Sequence, residues 1–228
     1  MSSNIIVEIC TDNWKDTVNA IRLGADRIEL CSDLDNDGLT PTDDLFESVH
    51  LFATEHGVVV FPMIRCRPGN FVYSVEEKNC MIGDAKKFAR KKAPGLVIGA
   101  LTSDGQVDIP FIREIALAVK KENPLIEITF HKAIDNAVVP AGKTLGDIVS
   151  ALEPYCHRVL TSGQRPTALE GSGAIRSIVS RNARPYVLAA GKIREGNVQE
   201  VIEELRVSEV HSRSPLIAVA LKKPVRDI

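Results

Sequence analysis

Ile5-Ile6-Val7-Glu8-Ile9-Cys10 opens the stretch that decides the fold, and Arg27-Ile28-Glu29-Leu30-Cys31 closes it. Each apolar run ends on Glu-aliphatic-Cys, and the two copies lie 21 residues apart. Between them Asn13–Leu23 reads as a helix, with Asp12 or Asn13 able to cap its start and Gly24 placed to end it. That length suits one strand–helix unit, which makes the two strands parallel neighbours. Side chains two apart on a strand share a face. Glu8 and Cys10 then meet Glu29 and Cys31 at one edge of the sheet, two carboxylates beside two thiols.

The alternation continues outward from this unit. Further strands are expected at Val58–Ile64, Leu96–Gly99, Leu125–Phe130, Arg158–Thr161, Tyr186–Ala190 and Glu209–His211. Helices are expected at Thr42–His56, Glu76–Lys92, Ile109–Glu122, Leu145–Leu152, Ala168–Ser180 and Val198–Leu205, with Leu216–Leu221 as a shortened last helix. Eight strand–helix repeats predict an α/β chain closed as a (β/α)8 TIM barrel, with residues 1–228 as one domain. An open doubly wound sheet is the competing architecture. Its dinucleotide-binding form has no support, because no Gly-x-Gly-x-x-Gly follows the first strand.

Composition narrows the function classes. A hydrophobic fraction of 44% and a charged fraction of 25% suit a water-soluble globular chain. A formal net charge of −2 leaves no footprint for nucleic acid or for an anionic membrane surface. The start, Met1-Ser2-Ser3-Asn4, lacks the basic and apolar regions of a secretory signal, and the end carries no lipidation motif. The five cysteines, Cys10, Cys31, Cys66, Cys80 and Cys156, form no Cys-x-x-Cys pair. An odd number of scattered thiols points to a reducing compartment and away from a disulfide framework or structural zinc.

In barrels of this kind chemistry gathers where strands end. With Val7 and Ile9 turned to the helices, Glu8, Cys10, Glu29 and Cys31 face the axis. Arg65 and Arg67 share one parity and would balance the two carboxylates, while Cys66 between them points toward the helices. Thr129 with His131, and Glu209 with His211, also face inward. Two chemistries fit. In the first, Cys10 and Cys31, with His131 nearby, hold a soft metal ion such as Cu(I). In the second, Glu8 or Glu29 is a general base, His131 an acid or base, and Arg65 and Arg67 an anion clamp. Ser162, Gly163 and Gly191, in the turns after strands six and seven, would add contacts to a small anionic or phosphorylated ligand.

Plainer readings stand beside these. A buried Glu–Arg pair can serve only to neutralise itself, and His131 can be a hydrogen-bonded core histidine. Cys80 and Cys156 read as small buried hydrophobes, and His50 and His56 as surface residues. The acidic loop Asp33–Asp37 lacks the spacing and closing Glu of a calcium loop and reads as a solvated turn.

These residues resemble the CutC family of copper homeostasis proteins. The resemblance is carried by Glu8-Ile9-Cys10, the run from Gly24 to Leu34, and Gly38-Leu39-Thr40-Pro41. It continues through Met63-Ile64-Arg65, Arg67-Pro68-Gly69, Gly99-Ala100-Leu101-Thr102, Thr129-Phe130-His131 and Leu160-Thr161-Ser162-Gly163-Gln164 with Pro166-Thr167-Ala168. It covers about residues 5 to 213. It implies a TIM barrel, a cytosolic or also nuclear location, a role in copper handling, assembly into homo-oligomers, and Cu(I) binding at cysteines, with Cys10 and Cys31 the best placed. It implies no reaction. Cys66 departs from the pattern, standing where the family usually has Pro, and Ala189-Ala190-Gly191-Lys192 replaces a glycine-rich turn, which puts a phosphate site there in doubt.

Overall fold

The computed structural model describes residues 5–222. Eight parallel strands close into a barrel in sequence order: β1 (Ile6–Thr11), β2 (Arg27–Leu30), β3 (Val59–Ile64), β4 (Gly95–Ile98), β5 (Glu127–Phe130), β6 (Arg158–Thr161), β7 (Tyr186–Ala189) and β8 (Glu209–Ser212). Helices α1 (Trp14–Arg22), α2 (Asp43–Glu55), α3 (Val75–Arg90), α4 (Ile109–Glu122), α5 (Leu145–Ala151), α6 (Ser172–Val179), α7 (Val198–Leu205) and α8 (Leu216–Leu221) follow them in turn. The barrel expected from the repeats is therefore the fold, short last helix included, and the open sheet is excluded.

The first unit folds as its residues dictate. Asn13 caps α1 by accepting the Asp16 N–H at 2.9 Å, and Gly24 ends it at φ +97°. β1 then pairs with β2 in the register Cys10↔Glu29, which sets the two Glu-x-Cys pairs side by side. Several boundaries shift by a residue or more from the sequence expectation, and two of the shifts have a visible cause. Leu125 is 88% exposed and lies in the Pro124 turn, so β5 begins at Glu127. Ala168 donates its N–H to the Gly191 carbonyl at 3.1 Å, which ties the 168–171 segment to the next loop and delays α6 to Ser172.

Alternation separates two cores. Val7, Ile9, Ile28 and Leu30 join the large cluster between strands and helices. Cys10 and Cys31 pack inside the barrel with Phe61, Met63 and Val97, and Leu160, Leu188 and Ala190 fill the opposite side. Below them lies a chain of charge. Arg27 binds Glu8 through Nε and Glu209 through Nη2, the latter at 2.5 Å. Arg158 binds Glu209 at 2.8 Å and Glu127 at 2.5 Å. Glu8, Arg27 and Glu209 are buried. The expected balance of Glu8 by Arg65 and Arg67 is therefore not what the fold uses. Arg27, two residues before Glu29 and on its face, supplies the charge.

Candidate functional site at the barrel mouth

A cavity of about 490 Å³ opens at the C-terminal ends of the strands, with Cys10, Glu29, Arg65, Phe71, His131 and His211 among its walls. Cys10 Sγ lies 3.7 Å from Cys31 Sγ and donates to Glu29 Oε1 at 3.1 Å. Cys31 Sγ stands 3.7 Å from the same oxygen. All three residues are buried, and Glu29 Oε2 has no hydrogen-bond partner among the described residues. Cys31 is sealed from above by Gly38 at φ +82°, where an added Cβ would come within 2.8 Å of its sulfur.

The hydrogen bond with Cys31, together with burial, raises the Cys10 thiol well above its ordinary range. For Cys31 the bond from Cys10 favours the thiolate, but burial and the facing Glu29 outweigh it and its pKa is raised. Burial also lifts Glu29 above the usual carboxylate range. The pair is thus dithiol at neutral pH, beside a carboxyl able to hold a proton.

A second group joins β1 to β8. His211 Nδ1 lies 2.7 Å from Glu8 Oε1. Burial works against the Glu8 charge, but Arg27 and His211 overcome it and hold its pKa at about 2. Burial also opposes the His211 charge, and Glu29 and Glu8 outweigh that, so its pKa is raised. Glu8 is fully buried and reaches the cavity only through His211, which lines it. Glu8, Glu29 and His211 together present ligand atoms within 4.8 Å of one another.

The third group is a wall from β3 and β5. Arg65 donates to the carbonyls of Asn36 at 3.0 Å, Gly38 at 3.2 Å and Gly69 at 2.9 Å. Its guanidinium carbon lies 5.0 Å from the centre of the Phe71 ring, and that ring centre is 5.0 Å from that of His131. His131 Nδ1 accepts the Ala133 N–H at 3.1 Å, which places its ring proton on Nε2. Gly99 leaves the room for this imidazole, since a Cβ there would collide with it. Burial and the neighbouring Arg65 charge lower the His131 pKa to about 3, so the ring is neutral.

Not every residue expected at the mouth is there. His131 stands outside the thiol group, in which Glu29 takes the third place. Arg67 turns outward to Glu77 on α3 at 2.5 Å and over Tyr73, so it clamps a helix start rather than an anion. Ser162 lines the cavity, but its N–H and hydroxyl donate to Asp135 at 2.9 and 3.0 Å, and the Gly163 N–H donates to Thr161 at 2.9 Å. Those donors hold the loop after β6. Gly191 does line the cavity, at φ +107°. Cys66 packs against the outer core, as its parity requires, and Cys156 is buried. Cys80 is exposed on α3, not buried. His56 is exposed, whereas His50 is half-buried and stacks on Phe46. Sequence reasoning passed over Arg27, His211 as Glu8's partner, and Phe71. Inward parity beside Glu29 would have found the first; the other two depend on the register in which β8 closes on β1 and on a loop.

Comparison with known proteins agrees along most of the chain. The CutC family profile matches residues 5–215. A CutC family protein of Glaesserella parasuis is 36% identical over 210 residues, which span 90% of this chain and 80% of that one. A Vibrio campbellii relative of the same family is 35% identical over 91% of this chain and 81% of its own. Among solved structures, a CutC protein of Streptococcus agalactiae named for copper homeostasis superposes with a TM-score of 0.84 at 26% identity, covering 92% of this chain and 99% of that one. A thiamine phosphate pyrophosphorylase of Pyrococcus furiosus reaches a TM-score of 0.60 at 16% identity over 96% and 93% of the two chains, a likeness of fold alone.

Proposed function

The chain belongs to the CutC family, and from that premise we propose that it handles copper by binding Cu(I) through Cys10 and Cys31. The observation that carries this reading is the pair of buried sulfurs 3.7 Å apart at the head of adjacent strands, with a carboxylate 3.1 Å from one of them. Two soft donors at that separation suit Cu(I) far better than a hard cation. Glu29, with one oxygen unpartnered, is placed to complete the donor set or to take a proton from Cys10. Family kinship and the name of the Streptococcus agalactiae relative supply the biological context.

Both thiols must lose protons to bind the ion, so Cu(I) affinity rises with pH across the neutral range. The reading suits a reducing cytosol, where the five free cysteines remain thiols. Among the described residues no helix is long and apolar enough to cross a membrane.

X-ray absorption on the reduced, Cu(I)-loaded protein tests the assignment. Two sulfur scatterers are expected in the wild type and one in Cys31→Ser, whose affinity should be at least tenfold weaker, about 1.4 kcal/mol. A first shell of nitrogen and oxygen alone would reject the thiol site.

A further inference from the structure

The thiol pair leaves most of the cavity unexplained. Arg65 is 3% exposed, yet it pairs with no carboxylate among the described residues; it donates to three backbone carbonyls, the Tyr73 hydroxyl lies beside it, and its Nε–H makes no hydrogen bond within that set. His131 is 4% exposed, and its Nε2–H is also without a partner. Buried donors are normally satisfied, and a buried cation normally meets an anion. Here two such groups flank the same Phe71 ring on the wall of the same cavity.

The rim adds charge of the same sign. Lys132, Lys192 and Arg194 line the cavity, and among the described residues none is paired with a carboxylate. Of the three acids that line it, Glu29 belongs to the thiol cluster and the other two are engaged. Asp135 accepts from Thr161, Ser162 and Gln164, and Asp37 faces Arg213 at 3.4 Å. A cavity with low-dielectric walls and an excess of one sign concentrates ligands of the other.

We propose that this wall is the binding site of a small organic oxyanion, a carboxylate or a phosphate monoester, held by the guanidinium of Arg65 and the Nε2–H of His131. Cations at the rim draw it in, and Phe71 packs against its carbon skeleton. His211, with Nδ1 occupied by Glu8, keeps Nε2 available on the same cavity and offers the bound molecule a carboxylate-held imidazole for moving a proton. The mouth is then a small-molecule site as well as a metal site. The inference goes beyond the copper reading, since Arg65, Phe71 and His131 stand outside the thiol cluster.

The test uses the full chain, reduced and metal-free. Inorganic phosphate and malonate are titrated separately against sodium chloride of equal ionic strength, following the histidine ring resonances and the melting temperature. At least one probe should shift the His131 ring signals saturably and raise Tm, with affinity at least tenfold weaker in Arg65→Met and about threefold weaker in Lys132→Ala. Arg65 also ties three loops together, so Lys132→Ala, an exposed side chain, carries the test if Arg65→Met does not fold. A response to phosphate alone assigns a phosphorylated ligand, and a response to malonate alone a carboxylate. Histidine signals unmoved by either probe, or an affinity unchanged in every folded variant, overturns the proposal. The Cys10→Ser/Cys31→Ser double variant should still bind the oxyanion, so this site and the copper site stand or fall separately.

Discussion

At the floor of the barrel Arg27 stands between Glu8 and Glu209, and Arg158 between Glu209 and Glu127, so each charge faces an opposite one. At the mouth, Glu29, Arg65 and His131 each keep a buried polar atom without a partner among the described residues. Both layers take charged groups out of water, which is costly unless they are paired. The floor offsets that cost within the chain. The mouth does not, and an arrangement that leaves groups unsatisfied inside a stable fold points to partners from outside. Charge at one end of the barrel is thus architecture, and charge at the other is what the proposed ligands would meet.

The largest effect should come from breaking the floor. Arg27→Met keeps the side-chain volume but leaves Glu8 with His211 alone and Glu209 with Arg158 alone, and should cost about 3–5 kcal/mol of stability in chemical denaturation. A loss under about 1 kcal/mol would mean that the pairs are incidental.

Acid should act on Glu8 in that layer and on His131 and Glu29 at the mouth. Glu8 has its folded pKa at about 2, below its ordinary 4.5, so its contribution is complete above pH 4.5 and is lost as pH falls toward 2. His131 binds its proton only near pH 3 in the fold against 6.5 ordinarily, so it too favours the folded state less as pH falls from 6.5 to 3. Glu29, with a raised pKa, acts in the opposite direction: its contribution is present at low pH and fades as pH rises through its folded value. Denaturation curves at pH 7, 5 and 3 should show a loss on the order of 3 kcal/mol for the wild type. A flat profile would contradict the paired floor.

Gly99→Ala tests the seat of His131. The new methyl group collides with the imidazole, and overpacking of this kind should cost about 1–3 kcal/mol. The smallest change is expected at Glu29→Gln, which mimics the protonated carboxyl that burial already favours. Its stability should stay within about 1 kcal/mol of the wild type, and a larger loss would make Glu29 part of the architecture after all.

The order of strands and helices was legible because each element carries its own signal. Arg158–Thr161, Ile109–Glu122 and Val198–Leu205 fall where periodicity and caps place them. The thiol cluster was legible for the same reason, since two matched Glu-x-Cys strands joined by one helix become neighbours in register. Partners supplied by another element were not. Parity placed Arg65 and Arg67 on one face of β3, but the strand ends at Ile64 and the chain turns before Arg67. Arg67 then answers to Glu77 on α3. The same limit hid the bond from His211 to Glu8, whose residues are 203 positions apart. Ser162 and Gly163 look like anion donors in sequence because nothing local reveals that Asp135 already takes them.

On the proposed function, Cys10 and Cys31 are the ligand-facing pair that stability does not need. A competition titration of the reduced protein against a Cu(I) chelator, run on the wild type and on the Cys10→Ser/Cys31→Ser variant with the melting temperature of each, tests this directly. The account predicts competitive binding of one Cu(I) per chain in the wild type, and its loss in a variant that still melts as a folded barrel. Equal affinity in the two proteins, or no competition by the folded wild type, would contradict it.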